Sequence, residues 1–239
     1  MSKRSVRPRA IREDVHFGCM IVECVVDKAE VLRYLGYRGQ ELDSVLSDRI
    51  DAIIKQCETE LTPKGVYEIF PLEPDEDSPQ EIPRIKLVGT NLEFEGKSIA
   101  KHLAGAHSAA VLATTLGAKS EQRLRQLSAS DPLTAMIYDA SCSSLVESSA
   151  KAMQAEICRQ AETQGLTINR RYSPGYGDFP LETQPALLRV LNAEKRIGLT
   201  STDSSLLLPS KSVTAVIGLF EASDDPSQNE PNSPYKEKQ

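Results

Sequence analysis

The 239-residue chain has no tryptophan, and its aromatic residues amount to only 5% of the total. So thin a supply leaves little material for the stacking platforms on which single-stranded nucleic acid lies. Positive charge is also in the minority. With 28 Lys and Arg against 34 Asp and Glu, the net charge is −6, which argues against nucleic acid and against an anionic membrane surface as partners. No apolar run approaches the roughly 20 residues that cross a bilayer. The basic N-terminus has no apolar stretch behind it, so it does not read as a secretory signal.

Metal-site and nucleophile patterns are scarce as well. Histidine occurs only at His16, His102 and His107. The last two, five residues apart, would stand roughly 140° apart on a helix and cannot share one ion from one face. There is no H-E-x-x-H, no Walker A, no G-x-G-x-x-G after a strand and no G-x-S-x-G. Zinc-protease, P-loop, Rossmann and α/β-hydrolase chemistry therefore lack their main signals. Cysteines at 19, 24, 57, 142 and 158 make no C-x-x-C pair and no zinc-like spacing. The odd count predicts reduced, mostly buried thiols in a cytosolic protein.

What is present is the composition of an ordinary soluble protein, 40% hydrophobic and 26% charged. It suffices for the core of one large domain or two small ones. Residues 1–14, with Lys3, Arg4, Arg7, Arg9 and Arg12, read as a disordered basic arm or a docking tag for an acidic partner. Met20–Val26 is strand-like. Asp27 and Gly36 bracket a short helix holding Val31, Leu32 and Leu35. Over 41–61, Leu42, Val45, Leu46, Ile50, Ile53, Ile54, Cys57 and Leu61 recur at three and four residues, which predicts an amphipathic helix.

A strand over Val66–Leu72 and an exposed acidic loop over 73–81 follow. A hairpin is then expected, with strands Ile85–Val88 and Leu92–Phe94. Ser98 can cap an Ala-rich helix over Ile99–Leu116 stopped by Gly117, and a short helix is expected at 120–127. Asp131-Pro132 is a strong start signal for a helix of some thirty residues ending by Gly165. Near its middle, Glu147 stands among small residues, either open to approach or simply a solvated acid.

Leu166–Arg170 alternates as a strand, Thr183–Leu191 looks helical, and Ile197–Leu199, Leu206–Leu208 and Val213–Phe220 are strand candidates. Residues 221–239 are acidic, rich in Pro and Ser, and expected to be disordered. The mixture predicts one α+β domain over 15–220, with a largely antiparallel twisted sheet packed with long helices.

Between the strand at 166–170 and the helix after 183 lies Arg170-Arg171-Tyr172-Ser173-Pro174-Gly175-Tyr176-Gly177-Asp178-Phe179-Pro180. Proline fixes the backbone and glycine lets a ligand come close to it, while the guanidinium groups favour an anionic end. The segment reads as a shaped binding loop or as a polar tight turn.

With its neighbours, this loop resembles the activation domain of cobalamin-dependent methionine synthase. The matching elements are Arg171-x-Ser173-Pro174-Gly175-Tyr176, then Pro180, Gly198, Thr202-Asp203-Ser204, Pro209 and Ser212-Val213-Thr214. Upstream, Thr114-Thr115-Leu116-Gly117 and the run from Asp139 to Glu147 look similar. The likeness is best over roughly residues 85–220; the first 80 fit the general pattern of short, free-standing members.

The resemblance implies binding of S-adenosylmethionine, whose methyl group goes to a cobalamin held elsewhere. The methylation traps cobalamin reduced by a flavodoxin-like electron donor. It implies that Arg171 pairs with the ligand's α-carboxylate and Glu147 meets its α-amino group. Ser173 and Gly175 would offer backbone groups, and Tyr176 would lie against the sulfonium. Where long methionine synthases carry a histidine after the loop, this chain has Gly177-Asp178-Phe179 and Leu181-Glu182. Asp14-Val15-His16-Phe17-Gly18-Cys19 approaches the D-x-H-x-x-G signature of cobalamin domains, but its glycine falls one place early, so a cobalamin ligand is not assigned there.

No homocysteine-, folate- or cobalamin-binding module is evident, so methionine synthesis by this chain alone is not expected. The leading expectation is a cytoplasmic reactivation subunit for a separate cobalamin-bearing methyltransferase or corrinoid protein. A docking module that binds little or no S-adenosylmethionine, and a sensor of that ligand, are the alternatives.

Overall fold

The computed structural model describes residues 20–75, 78–79 and 82–222. The basic arm, the Asp14–Cys19 segment and the acidic tail beyond Ala222 lie outside them. The elements run β1 (Met20–Ile21), α1 (Lys28–Tyr34), α2 (Ser44–Glu60), β2 (Lys64–Pro74), β3 (Arg84–Leu87), β4 (Glu93–Glu95), α3 (Lys97–His102) and β5 (Ser108–Thr115). They continue with α4 (Ala118–Ser130), α5 (Pro132–Glu162), β6 (Leu166–Ile168), α6 (Gln184–Val190), α7 (Ala193–Ile197), β7 (Thr200–Ser201), β8 (Leu207–Leu208) and β9 (Ser212–Glu221).

Seven strands form one antiparallel sheet in the order β4-β3-β2-β5-β9-β6, with β1 added to β2. The fold is thus α+β with a mostly antiparallel sheet, as the pattern of elements predicts. Its axis is β5, hydrogen-bonded along its whole length to β2 on one side and β9 on the other. All eight β5 residues are buried. Ala110 and Leu112 pack with Ile157 and Ala161 of α5. Ala109, Val111 and Ala113 pack on the opposite face with Ile99, Leu187 and Ile197, contributed by α3, α6 and α7. Helices α1 and α2 close around the first half of α5 through Val31, Ile50, Ile53, Cys57, Tyr138 and Leu145.

The expected helix over Ile99–Leu116 is corrected by this arrangement. Helix α3 ends at His102, and residues 108–115 are the central strand. Helix propensities differ by at most about 0.7 kcal/mol per ordinary residue. Burying Val111 and Leu112 between two helical layers is worth about 1.5–3 kcal/mol each. Packing therefore overrides the local preference of the Ala-rich run, whose small side chains let both layers approach the sheet.

Three smaller corrections concern where strands begin and end. The Ile197–Leu199 candidate is not a strand: Ile197 closes α7 and the paired residues are Thr200 and Ser201. Within Met20–Val26 only Met20 and Ile21 pair, with Gly65 and Lys64. Glu221, assigned to the tail by composition, is the last residue of β9. Of the four described cysteines, all free thiols, Cys57 and Cys142 are buried while Cys24 and Cys158 are half-buried.

Candidate functional site

Helix α5 carries the acid. Asp131 caps it, its carboxylate accepting from Thr134 N at 3.1 Å, and Pro132 occupies the first turn. Thirty-one residues later the helix ends beside Gly165, at φ +73°. Leu145, Val146, Ser149 and Ala150 are buried, which turns Glu147 toward the groove at the helix's edge with its side chain 34% exposed. Of the small residues around that turn, Ser141, Ser144, Ser149 and Ala150 pack inward, and Glu147 is no solvated acid. It faces an arginine.

That arginine comes from the loop. After β6 the chain makes one further bridge, with Tyr172 N donating to Val216 O at 2.9 Å and Val216 N returning to Tyr172 O at 2.8 Å. Extended backbone alternates its side chains. Arg171 turns to α5, where its Nη2 lies 2.5 Å from Glu147 Oε1 and its Nε donates to Gln154 Oε1 at 3.0 Å. Tyr172 turns the other way, stacking on His102 (ring centroids 4.9 Å apart) and on Phe179 (6.2 Å). Ser173 Oγ donates to Thr214 O at 2.7 Å and ties the loop's entry to β9.

Within the loop, Gly175 adopts φ +90°, and a Cβ there would meet only Leu181 Cδ1 at 3.5 Å. The approach to this backbone is open, although Gly175 N–H is already donated to Phe179 O at 2.9 Å and Ser173 O accepts from Tyr176 N at 3.3 Å. These two groups are committed to the loop's own turn. Tyr176 is 61% exposed, its ring 6.2 Å from that of Tyr172. Arg171 and Glu147 are brought together, whereas the ring near Tyr176 is that of Tyr172, which turns to α3.

Several participants were not evident in the sequence. Gln154 is one, although its position seven residues after Glu147 on a helix places both on one face. Asp178 is another. Its carboxylate accepts from Lys97 N and Ser98 N, each at 2.8 Å, and so caps α3 from eighty residues away. These hydrogen bonds, the Ser98 side chain's foremost, hold the Asp178 carboxyl below its ordinary pKa. The expected cap by Ser98 is corrected accordingly: the N-cap position is Gly96, and the capping side chain is Asp178. His102 is a third, its pKa lowered to about 4 by burial and then by the Arg170 charge.

Two cavities lie elsewhere. One, of about 570 Å³, is lined by Tyr34, Leu124, Met136 and Asp139; the other, of about 310 Å³, by Glu60, Lys64, Gly117 and Lys119. Neither is lined by Glu147, Arg171 or the loop, whose ion pair forms a partly exposed shelf. Among the described residues no group of three or more His, Cys, Asp or Glu side chains is placed to hold a metal ion. No described helix is long and apolar enough to cross a membrane.

The architecture is that of a reactivation domain. A crystal structure of the MetH reactivation domain bound to AdoHcy superposes with a TM-score of 0.65 at 17% sequence identity, over 87% of this chain and 80% of that one. The family described as vitamin B12 dependent methionine synthase, activation domain, matches residues 98–225. The chain belongs to that family. The matched segment holds β5, α5, the loop and β9, the elements that build the shelf. No curated protein matches the chain.

Proposed function

We propose that this chain binds S-adenosylmethionine through the Arg171–Glu147 shelf and serves as a reactivation module for a cobalamin-bearing methyltransferase or corrinoid protein in the cytoplasm. Family membership and the AdoHcy carried by the structural neighbour support the ligand class. The observation that carries the reading is the pair itself: a guanidinium and a carboxylate 2.5 Å apart, both partly exposed. The amino-acid end of S-adenosylmethionine is a zwitterion. It can insert its carboxylate against the Arg171 fork and its ammonium against Glu147, exchanging one ion pair for two.

S-adenosylmethionine supplies the methyl group, and a flavodoxin-like donor supplies one electron to the partner's cobalamin. This chain's residues hold the methyl donor and orient it. Arg171 fixes the carboxylate end, Gly175 leaves room, and Tyr176 presents an aromatic face to the sulfonium. As a component of a methyltransferase, it would not be active alone.

Calorimetry with S-adenosylmethionine tests the reading. The wild-type protein is expected to bind, and Arg171→Ala to lose at least tenfold in affinity through the missing bidentate contact. Equal binding by both proteins, or none by either, overturns it. The absence of binding favours the other reading, a docking module without the ligand. One observation leans that way: Arg171 is already satisfied by Glu147 and Gln154.

A further inference from the structure

We propose that Gln154 is a positioning residue that fixes which edge of Arg171 a ligand can reach, and that its lack of charge lets the site select an amino-acid end with a carboxylate over the same end without one. The inference rests on the S-adenosylmethionine reading and adds what controls its specificity.

Glu147 and Gln154 stand seven residues apart on α5, two turns and roughly 10 Å along one face. Between them Met153 and Ala150 are buried, as is Ile157 beyond, so the helix is held by its other face and the half-buried Gln154 lies at its edge. Arg171 reaches both residues, donating from Nε to Gln154 Oε1 at 3.0 Å and from Nη2 to Glu147 Oε1 at 2.5 Å. A guanidinium has donors only, so the glutamine must meet it with its oxygen, and the orientation of its amide is settled.

A carboxylate can pair with a guanidinium along either of two edges, Nε with one Nη or the two Nη groups together. Gln154 closes the first. Nη2 carries two protons, and Glu147 takes one. Nη1 donates to none of the described residues. The edge between the Nη groups is therefore the one left for an incoming carboxylate, which can dock there without displacing Gln154.

Charge decides the rest. Among the described residues Glu147 is the only acid within 4 Å of the Arg171 guanidinium. A neutral amide at 154 anchors Nε yet leaves the guanidinium with a single counter-charge. A second carboxylate in its place would hold Arg171 equally well and repel the ligand's own.

The test compares S-adenosylmethionine with its decarboxylated form, which keeps the sulfonium and the ammonium. Both dissociation constants are measured by calorimetry, at a temperature where circular dichroism shows each variant folded. The wild type is expected to prefer the carboxylate-bearing ligand by about tenfold. Gln154→Glu should bind S-adenosylmethionine about tenfold more weakly and the decarboxylated form no more weakly, bringing the ratio near one or below. Gln154→Leu removes the acceptor at Nε without adding charge. It should lose part of the preference, and nothing further once Arg171→Ala is present; it carries the test if the glutamate variant does not fold. A merely structural role would weaken both ligands by the same factor. That result in either variant overturns the proposal, as does a further loss of preference when Gln154→Leu is added to Arg171→Ala. Wild-type protein that binds neither ligand overturns the S-adenosylmethionine reading and this inference with it. Binding by the wild type without a preference, or with a ratio that Gln154→Glu leaves unmoved, overturns the inference alone.

Discussion

Arg171 and Glu147, 24 positions apart in the chain, meet at 2.5 Å where the loop crosses the long helix. The arginine side chain is 18% exposed and the glutamate 34%. Neither charge is fully hydrated, so each needs the other when no ligand is present.

Glu147→Gln should therefore destabilise the ligand-free protein. Discounted for partial exposure, the loss is about 1 kcal/mol at neutral pH, read from urea unfolding. A variant as stable as the wild type would show that the pair contributes nothing to the fold. Arg171→Lys keeps the charge but not the planar fork, and its affinity for S-adenosylmethionine is expected to stay at least about tenfold below that of the wild type.

The helix and sheet are also joined by a buried hydroxyl pair. Thr114 Oγ1 and Ser149 Oγ lie 2.6 Å apart, and Thr114 also donates to Lys64 O at 3.0 Å. Thr114→Val strands the Ser149 hydroxyl and should cost about 1–2 kcal/mol. Adding Ser149→Ala removes the orphan and should recover part of that loss. Strict additivity of the two changes in a urea double-mutant cycle would refute the coupling.

Acid should weaken the fold through His102. Burial, and secondarily the Arg170 charge, lower its pKa to about 4. A histidine unfolded near pKa 6.5 takes a proton more readily than this one, so its contribution is fully present above pH 6.5 and disappears as pH falls toward 4. Between pH 7 and 4.5 the wild type should lose about 1–2 kcal/mol more than His102→Gln, after discounting for partial exposure. The Asp131 and Asp178 carboxyls, both held below their ordinary pKa, act only at still lower pH. Parallel stability curves for the two proteins would exclude this role.

Cys57 on α2 and Cys142 on α5 place their sulfurs 3.8 Å apart in the core. Their mutual hydrogen bond, and then burial, push the Cys57 thiol far above its ordinary pKa. Iodoacetamide at pH 8 should leave both residues unlabelled until urea unfolds the chain, as mass spectrometry of peptides can follow. Labelling of the native protein as fast as at half-buried Cys158 would mean that the seam between the two helices opens.

Much of this was written locally in the sequence. Asp131-Pro132 and the glycine at 165 mark α5 because capping and proline geometry depend on a few neighbouring residues. The loop's composition, with its likeness to the methionine synthase activation domain, singled out Arg171 and Glu147. Gln154 and Asp178 escaped notice because their partners lie 17 and about 80 residues away, and no local pattern records such a pairing.

Two decisions belonged to tertiary structure alone. One is the conversion of an Ala-rich run into strand β5, since only burial between two helical layers outweighs its helical preference. The other is the clamping of the loop between α3 and α5, which exists only once the sheet has set both helices in place. The sequence by itself determined the α+β class, the long helix and the chemistry the loop can offer. Side chains acquire a direction, and hence a site, only from the packing of elements distant in the chain.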